Sequence, residues 1–210
     1  MRALTIAAGS CRPEDLREAV DWLRAGRIVA YPTDTFYGLA VDPSSAAAVR
    51  AVFRLKGRPA DMAMPLIASS AEQAEALGGP WTPAMRQLAR TFWPGPVSLI
   101  CEAPARLARD VHGGTDTVAV RVPGHAVARA LAEAWGAPIT ATSANRSGQP
   151  PAQSAAMLEG LAADPSVLVV DAGSTPGGQP STIVDARGAA PVLVRAGAIA
   201  WSRVLESIQE

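Results

Sequence analysis

The chain has 210 residues, 49% of them hydrophobic and 18% charged, which is enough apolar material for a substantial core and excludes an intrinsically disordered chain. Lysine plus arginine and aspartate plus glutamate number 19 each, so no global field draws the protein to nucleic acid or to a membrane, and any anion site must be local. No apolar run approaches the ~18 residues of a membrane-spanning helix, and the opening MRALTIAAGSCRPEDL has only a short apolar patch before acidic residues, so no signal peptide and a cytoplasmic location are expected.

Helical patterns alternate with short β-rich runs. Pro13, Glu14 and Asp15 open a helix with apolar positions Leu16, Ala19, Val20 and Leu23, stopped by Gly26. RIVAYPT reads as a buried strand ended by Pro32. Ser44 or Ser45 caps the next helix, with Val49, Val52 and Phe53 on one face. Lys56 ends that inward stripe just before Gly57, so its side chain is expected along the protein body. Beyond the KGRPADMAMP loop come a strand at LIAS, a helix from about Ala71 and another over Pro83–Phe92. PVSLI and TVAVRVP are strands, Val127, Ala130, Leu131 and Ala134 mark a helix, and PITAT is the next strand. A helix near Ala152–Leu161, strands at VLVVD, STIVD and PVLVR, and a helix from Ala198 with an apolar face of Trp201, Val204, Leu205 and Ile208 complete the series. The pattern predicts an α/β fold, one domain over residues 1–210, with a twisted, mostly mixed sheet flanked by helices.

Cys11 and Cys101 stand far apart without a CxxC or Cys/His cluster, as expected of two reduced thiols. His112 and His125 share no ligand spacing, and surface or loop positions are expected for both. No dedicated metal site is predicted.

Five polar stretches, YPTDTFYGLAVD, KGRP, GTDTVAVRVP, TSANRSG and GGQPSTIVDARG…VLVRAG, place Ser, Thr, Asn, Lys and Arg where strands or helices end, the usual ligand position in open α/β sheets. Lys56 and Arg58, alternate residues held by Gly57 and Pro59, suit a triphosphate or a carboxylate; a solvated basic pair favourable to the helix dipole is the other reading. Alternation in VAVRVP puts Val118, Val120 and Val122 on one face and Ala119 and Arg121 on the other, which is solvent or a polar cleft. Arg195 ends VLVR in the same manner. Four such cations together favour a cleft for an anion. There is no GxxxxGK[ST], no GxGxxG and no nucleophile elbow. With no covalent nucleophile in sight, catalysis by orientation and charge stabilisation is expected.

YPTDTFYGLAVD, KGRP…PLI, WPGPVSLI, DTVAVRVPGH, TSANRSGQP, PSTIVD and RAGAI occur in the order and spacing of the YrdC family, whose members are threonylcarbamoyl-AMP synthases, and the resemblance covers roughly Val20 to Ile199. It implies a YrdC-like domain with a large concave cleft. There L-threonine, bicarbonate or CO2 and ATP, accompanied by Mg2+, become threonylcarbamoyl-adenylate and pyrophosphate, and other proteins transfer the group to the adenosine beside the anticodon of certain tRNAs. By the same resemblance Thr33, Arg121 and Ser181 contact threonine, Arg121 as anchor of its carboxylate. Lys56 and Arg58 face the phosphates, Thr117 and Arg195 contact the nucleotide, and Ser143 and Asn145 hold the triphosphate. The chain departs from the family in the longer ADMAMPLI loop, in Met64 before the PL, in Ser69 where many members have histidine, and in PS for ES before Thr182. The alternatives are a YrdC-like paralogue that binds nucleotide without making the adenylate, and a module that binds double-stranded RNA, which zero net charge disfavours.

Overall fold

The computed structural model describes residues 2–7, 11–57 and 62–209. The chain opens with β1 (Arg2–Thr5) and reaches α1 (Arg17–Arg24) through a 3-10 turn at Pro13–Leu16. β2 (Ile28–Pro32), β3 (Tyr37–Ala40), α2 (Ala46–Lys56), β4 (Leu66–Ile67), α3 (Ala71–Glu75) and α4 (Pro83–Phe92) follow. Next are β5 (Val97–Glu102), α5 (Arg109–His112), β6 (Thr117–Arg121), α6 (Ala126–Trp135), β7 (Ile139–Thr140) and β8 (Thr142–Ser143). A 3-10 turn at Ala155–Leu158 leads into α7 (Glu159–Ala162), then β9 (Val167–Asp171), β10 (Thr182–Asp185), β11 (Val192–Arg195) and α8 (Trp201–Gln209).

The strands fall into two mixed sheets, ordered β1-β9-β2-β3-β8 and β11-β10-β5-β6-β4-β7. In the first, β9 runs parallel to both β1 and β2, while β2–β3 and β3–β8 are antiparallel. In the second, β10–β5 and β4–β6 are parallel and the other pairs antiparallel. Only Ala141 separates β7 in one sheet from β8 in the other. Thr140 smooths that crossing: its hydroxyl accepts from Val41 N at 2.8 Å and lies 3.3 Å from Leu39 O, standing in for ladder bonds that a strand changing sheets loses.

β2 is buried along its whole length because both faces of its sheet are covered, so its apolar run does not alternate. Ile28 and Ala30 face the larger core, with Leu39, Val167 and Val169. Val29 and Tyr31 face the smaller one, with Leu168, Val170 and the apolar stripes of α1 and α6. The larger core fills the space between the sheets and takes Val49, Val52 and Phe53 of α2 and Met85, Leu88 and Ala89 of α4. The second sheet sends Leu99, Cys101, Val118, Val120 and Val122 into that core and turns Ser98, Ile100, Thr117, Ala119 and Arg121 to a cavity, as the VAVRVP alternation predicts.

The fold departs from the sequence reading at several elements, among them the unforeseen α5 and the PITAT strand, which is split into β7 and β8 of different sheets. β1 and β3 were not expected as strands. The helix expected near Ala152–Leu161 is mostly a 3-10 turn, with α-helix only from Glu159. α8 starts at Trp201 rather than Ala198, and its Leu205 is 36% exposed while Ser207 is buried, because Ser207 satisfies its own hydroxyl on Val204 O at 2.8 Å.

Candidate active site

A cavity of about 440 Å³ opens on the polar face of the second sheet. Thr33, Thr117, Arg121, Ser143, Ser181 and Arg195, far apart in the sequence, all line it.

Arg121 closes β6 and is 7% exposed. Its Nη1 donates to Asp34 Oδ1 at 2.6 Å and to Gly95 O at 3.5 Å, and its Nη2 to Thr33 Oγ1 at 3.4 Å. A guanidinium this buried needs a counter-charge, and Asp34, one residue beyond Thr33, supplies it. Nothing local signals that pairing, because the partners lie 87 positions apart. Arg195, at the end of β11, clasps Ser181: Nη2 donates to Ser181 O at 2.7 Å and to Ser181 Oγ at 3.0 Å. Ser181 Oγ lies 2.9 Å from Ser98 Oγ, a cavity residue that the motifs did not single out. Partial burial, followed by the like charge of Arg121, lowers the Arg195 pKa. Two cations that disfavour each other across a cavity are relieved by an anion placed between them.

Ser143 and Asn145 follow β8 in a tight turn. Ser143 Oγ donates to Asn145 Oδ1 at 2.7 Å, and Asn145 Nδ2 to Gln149 O at 2.5 Å. Lys56, the last residue of α2, is 4% exposed and meets this turn from behind: its Nζ donates to Ser143 O, and to Asn145 O and Oδ1 at 2.9 Å each. The expectation that Lys56 points along the protein body holds. Three carbonyl oxygens of the turn accept from its ammonium, which ties the end of α2 to the 143–145 turn. Asn145 engages one amide N–H and its Oδ1 inside the turn, beside Ser143 on the cavity wall. Arg58 and the first part of the ADMAMPLI loop lie outside the described residues.

The remaining walls mix chemistries. Thr115 and Thr117 pair their hydroxyls at 3.2 Å. Ile100, Ala119, Ile183 and Val194 give the second sheet an apolar strip beside the polar end. Tyr37, with its hydroxyl donating to Gly173 O at 2.7 Å, is raised to a pKa of about 12 by burial and by the nearby Asp171 charge. Among the described residues no three His, Cys, Asp or Glu side chains cluster as metal ligands, and no helix is long and apolar enough to cross a membrane.

Two mixed sheets around a cavity set with guanidiniums and small hydroxyls make this an α/β protein with a cavity whose polar groups suit an anion. The sequence model of the Sua5/YciO/YrdC family, described as telomere recombination, matches residues 21–197. The chain belongs to that family. It is 37% identical over 195 residues to a threonylcarbamoyl-AMP synthase of Pyrococcus abyssi, covering 93% of this chain and 57% of the relative. It is 42% identical over 164 residues to a threonylcarbamoyl-AMP synthase of Thiobacillus denitrificans, covering 78% and 87% respectively. The crystal structure of P. abyssi Sua5 complexed with L-threonine superposes with a TM-score of 0.89 at 35% identity, over 99% of this chain and 61% of that one. The chain thus spans rather more than half the length of its archaeal relative and most of its bacterial one.

Proposed function

We propose that the protein is a threonylcarbamoyl-AMP synthase, joining L-threonine, CO2 or bicarbonate and ATP into threonylcarbamoyl-adenylate with release of pyrophosphate. The observation that carries this reading is the convergence of Arg121, Arg195, Ser143 and Ser181 on one cavity, in a chain whose relatives bear that name.

The chemistry runs in two steps. The threonine amine adds to CO2, forming an N–C bond and losing a proton, to give a carbamate. A carbamate oxygen then attacks the α-phosphorus. The new O–P bond forms as the bond to the bridging oxygen of pyrophosphate breaks, and that oxygen leaves with the electron pair. No protein nucleophile is required. The chain supplies orientation and positive charge, which suit a reaction that gathers negative charge on phosphorus. Arg121 holds the threonine carboxylate, and Ser181, fixed by Arg195, lies against the amino acid. Thr117, Arg195 and Ser143 face the nucleotide. Lys56 and Asn145 keep the 143–145 turn in the shape that presents Ser143, and Arg58 is assigned to the phosphates on the strength of its motif. Mg2+ enters with ATP as its counter-ion. The product goes to transfer proteins that modify tRNA, in the cytoplasm where ATP and tRNA meet.

Pyrophosphate release by the purified protein tests this, with the adenylate identified by mass. Release is expected only when threonine, bicarbonate and ATP are all present. Release independent of threonine, or none, overturns it.

A further inference from the structure

Ser98 lies under the cavity wall, 1% exposed, at a place that the strand registers define. In the second sheet Ile183 of β10 pairs with Ser98 on one side and with Arg195 on the other. The β5–β6 register, Leu99 opposite Val120, carries Ser98 to the level of Arg121. Across β11, β10, β5 and β6 the row therefore reads Arg195, Ile183, Ser98, Arg121. Ser98 stands between the two arginines.

Its hydroxyl oxygen lies 2.9 Å from that of Ser181, and hydrogen-bonding capacity decides which of the two gives the proton. A hydroxyl has one proton and two lone pairs, whereas a guanidinium only donates. Arg195 Nη2, at 3.0 Å, therefore fills one lone pair of Ser181 Oγ. Among the described residues the Ser98 hydroxyl has no partner besides Ser181. Were Ser181 the donor, the Ser98 proton would be buried without an acceptor, which is costly. Ser98 is thus the donor, and its proton fills the second lone pair of Ser181 Oγ. What Ser181 has left for the cavity is its own O–H. A hydroxyl in that state only donates, so it meets an acceptor oxygen and refuses an ammonium.

We propose that Ser98 is a positioning residue, which by donating to Ser181 commits the Ser181 O–H to an oxygen of the amino-acid substrate. This rests on the reading of the protein as a threonine-using enzyme. Ser98 acts through Ser181 and makes no substrate contact of its own.

Steady-state pyrophosphate release tests it, with kcat and the KM values for L-threonine and ATP read separately. Wild type is compared with Ser98→Ala, Ser181→Ala and the double variant, and melting curves confirm that each is folded. Ser98→Ala is expected to raise the threonine KM about threefold or more, as for a lost hydrogen bond, with kcat and the ATP KM within about twofold of wild type. A smaller rise, or one matched by the ATP KM as general loosening would give, overturns the proposal. In the Ser181→Ala background, Ser98→Ala should change the threonine KM by less than about twofold. A larger change there shows that Ser98 does not act through Ser181, and overturns the proposal alone. Calorimetric titration with L-threonine gives the same comparison where Ser181→Ala turns over too slowly. Absence of threonine-dependent release by the wild-type chain overturns the functional reading and this proposal together.

Discussion

A buried ammonium must find oxygen, and Lys56 finds it on a turn 87 and 89 positions further along the chain. Replacing it with methionine keeps the stem and removes the donor. Ser143 O, Asn145 O and Asn145 Oδ1 then lose a charged partner, at a cost of about 2–3 kcal/mol. Lys56→Met is expected to melt several degrees lower than wild type and to make adenylate far more slowly, with threonine affinity much less affected; melting curves, single-turnover rates and threonine titrations check the three. At this scale the sequence says which way a side chain points but not whom it meets. Alternation put Arg121 on the polar face of β6, and the helical stripe turned Lys56 inward. Asp34 was invisible as the partner of Arg121, and so were the carbonyls around Lys56, because nothing local specifies a contact that folding creates across the molecule.

At the scale of elements, β11 is held against the cavity by the closeness of two backbones. A Cβ on Gly197 would collide with Pro180 O and come within 2.5 Å of the Ser181 carbonyl carbon. Gly197→Ala must push apart the segments that join Arg195 to Ser181. A loss of about 1–3 kcal/mol in denaturant unfolding is expected, along with weaker binding of both ATP and threonine, since the Arg195–Ser181 clasp opens. A second expectation concerns His125, the residue before α6. Its Nδ1 is buried with no hydrogen-bond partner among the described residues, and burial lowers its pKa, opposed by the Asp34 charge and aided by that of Arg129. The folded protein therefore holds His125 neutral at pH values where the unfolded chain protonates it. The stability this gives is complete above the ordinary histidine pKa of about 6.5 and declines as pH falls from there toward the depressed folded value. Wild type should lose stability as pH falls below about 6.5, and His125→Gln should lose less over the same fall, read from urea midpoints. Long elements with strong periodicity, such as α2, α4 and α6, were legible in the sequence. β1 and β3 were not. The first is a short strand of exposed and half-exposed residues. The second, Tyr-Gly-Leu-Ala, is buried on both faces and carries a glycine, so no alternation marks it. On α8 the hydrophobic pattern put Leu205 on the buried face, where the fold places a serine that needs no outside partner.

For the whole molecule, the larger core is the barrier that guards Cys101. That thiol is 1% exposed, and burial raises its pKa to about 12, so near neutral pH it is neither ionised nor reachable. Cys11 is half-exposed. Native protein at pH 8 should show one thiol reacting promptly with a disulfide reagent and a second only as fast as the core opens, both reacting at once in denaturant. Raising the pH should speed both, since the thiolate is the reacting form. Prompt reaction of both thiols in native buffer would show that the sheets are not closed over β5.

The five residues from Ile139 to Ser143 join the two sheets, β7 in one and β8 in the other, with Ala141 between them on the cavity wall. A seam of this kind leaves no slack. Sliding either sheet past the other drags the Ser143 end relative to the Arg121 end, so the distance between the two halves of the ligand is a property of the scaffold itself. The length of what can be bound is thereby gauged before any ligand arrives.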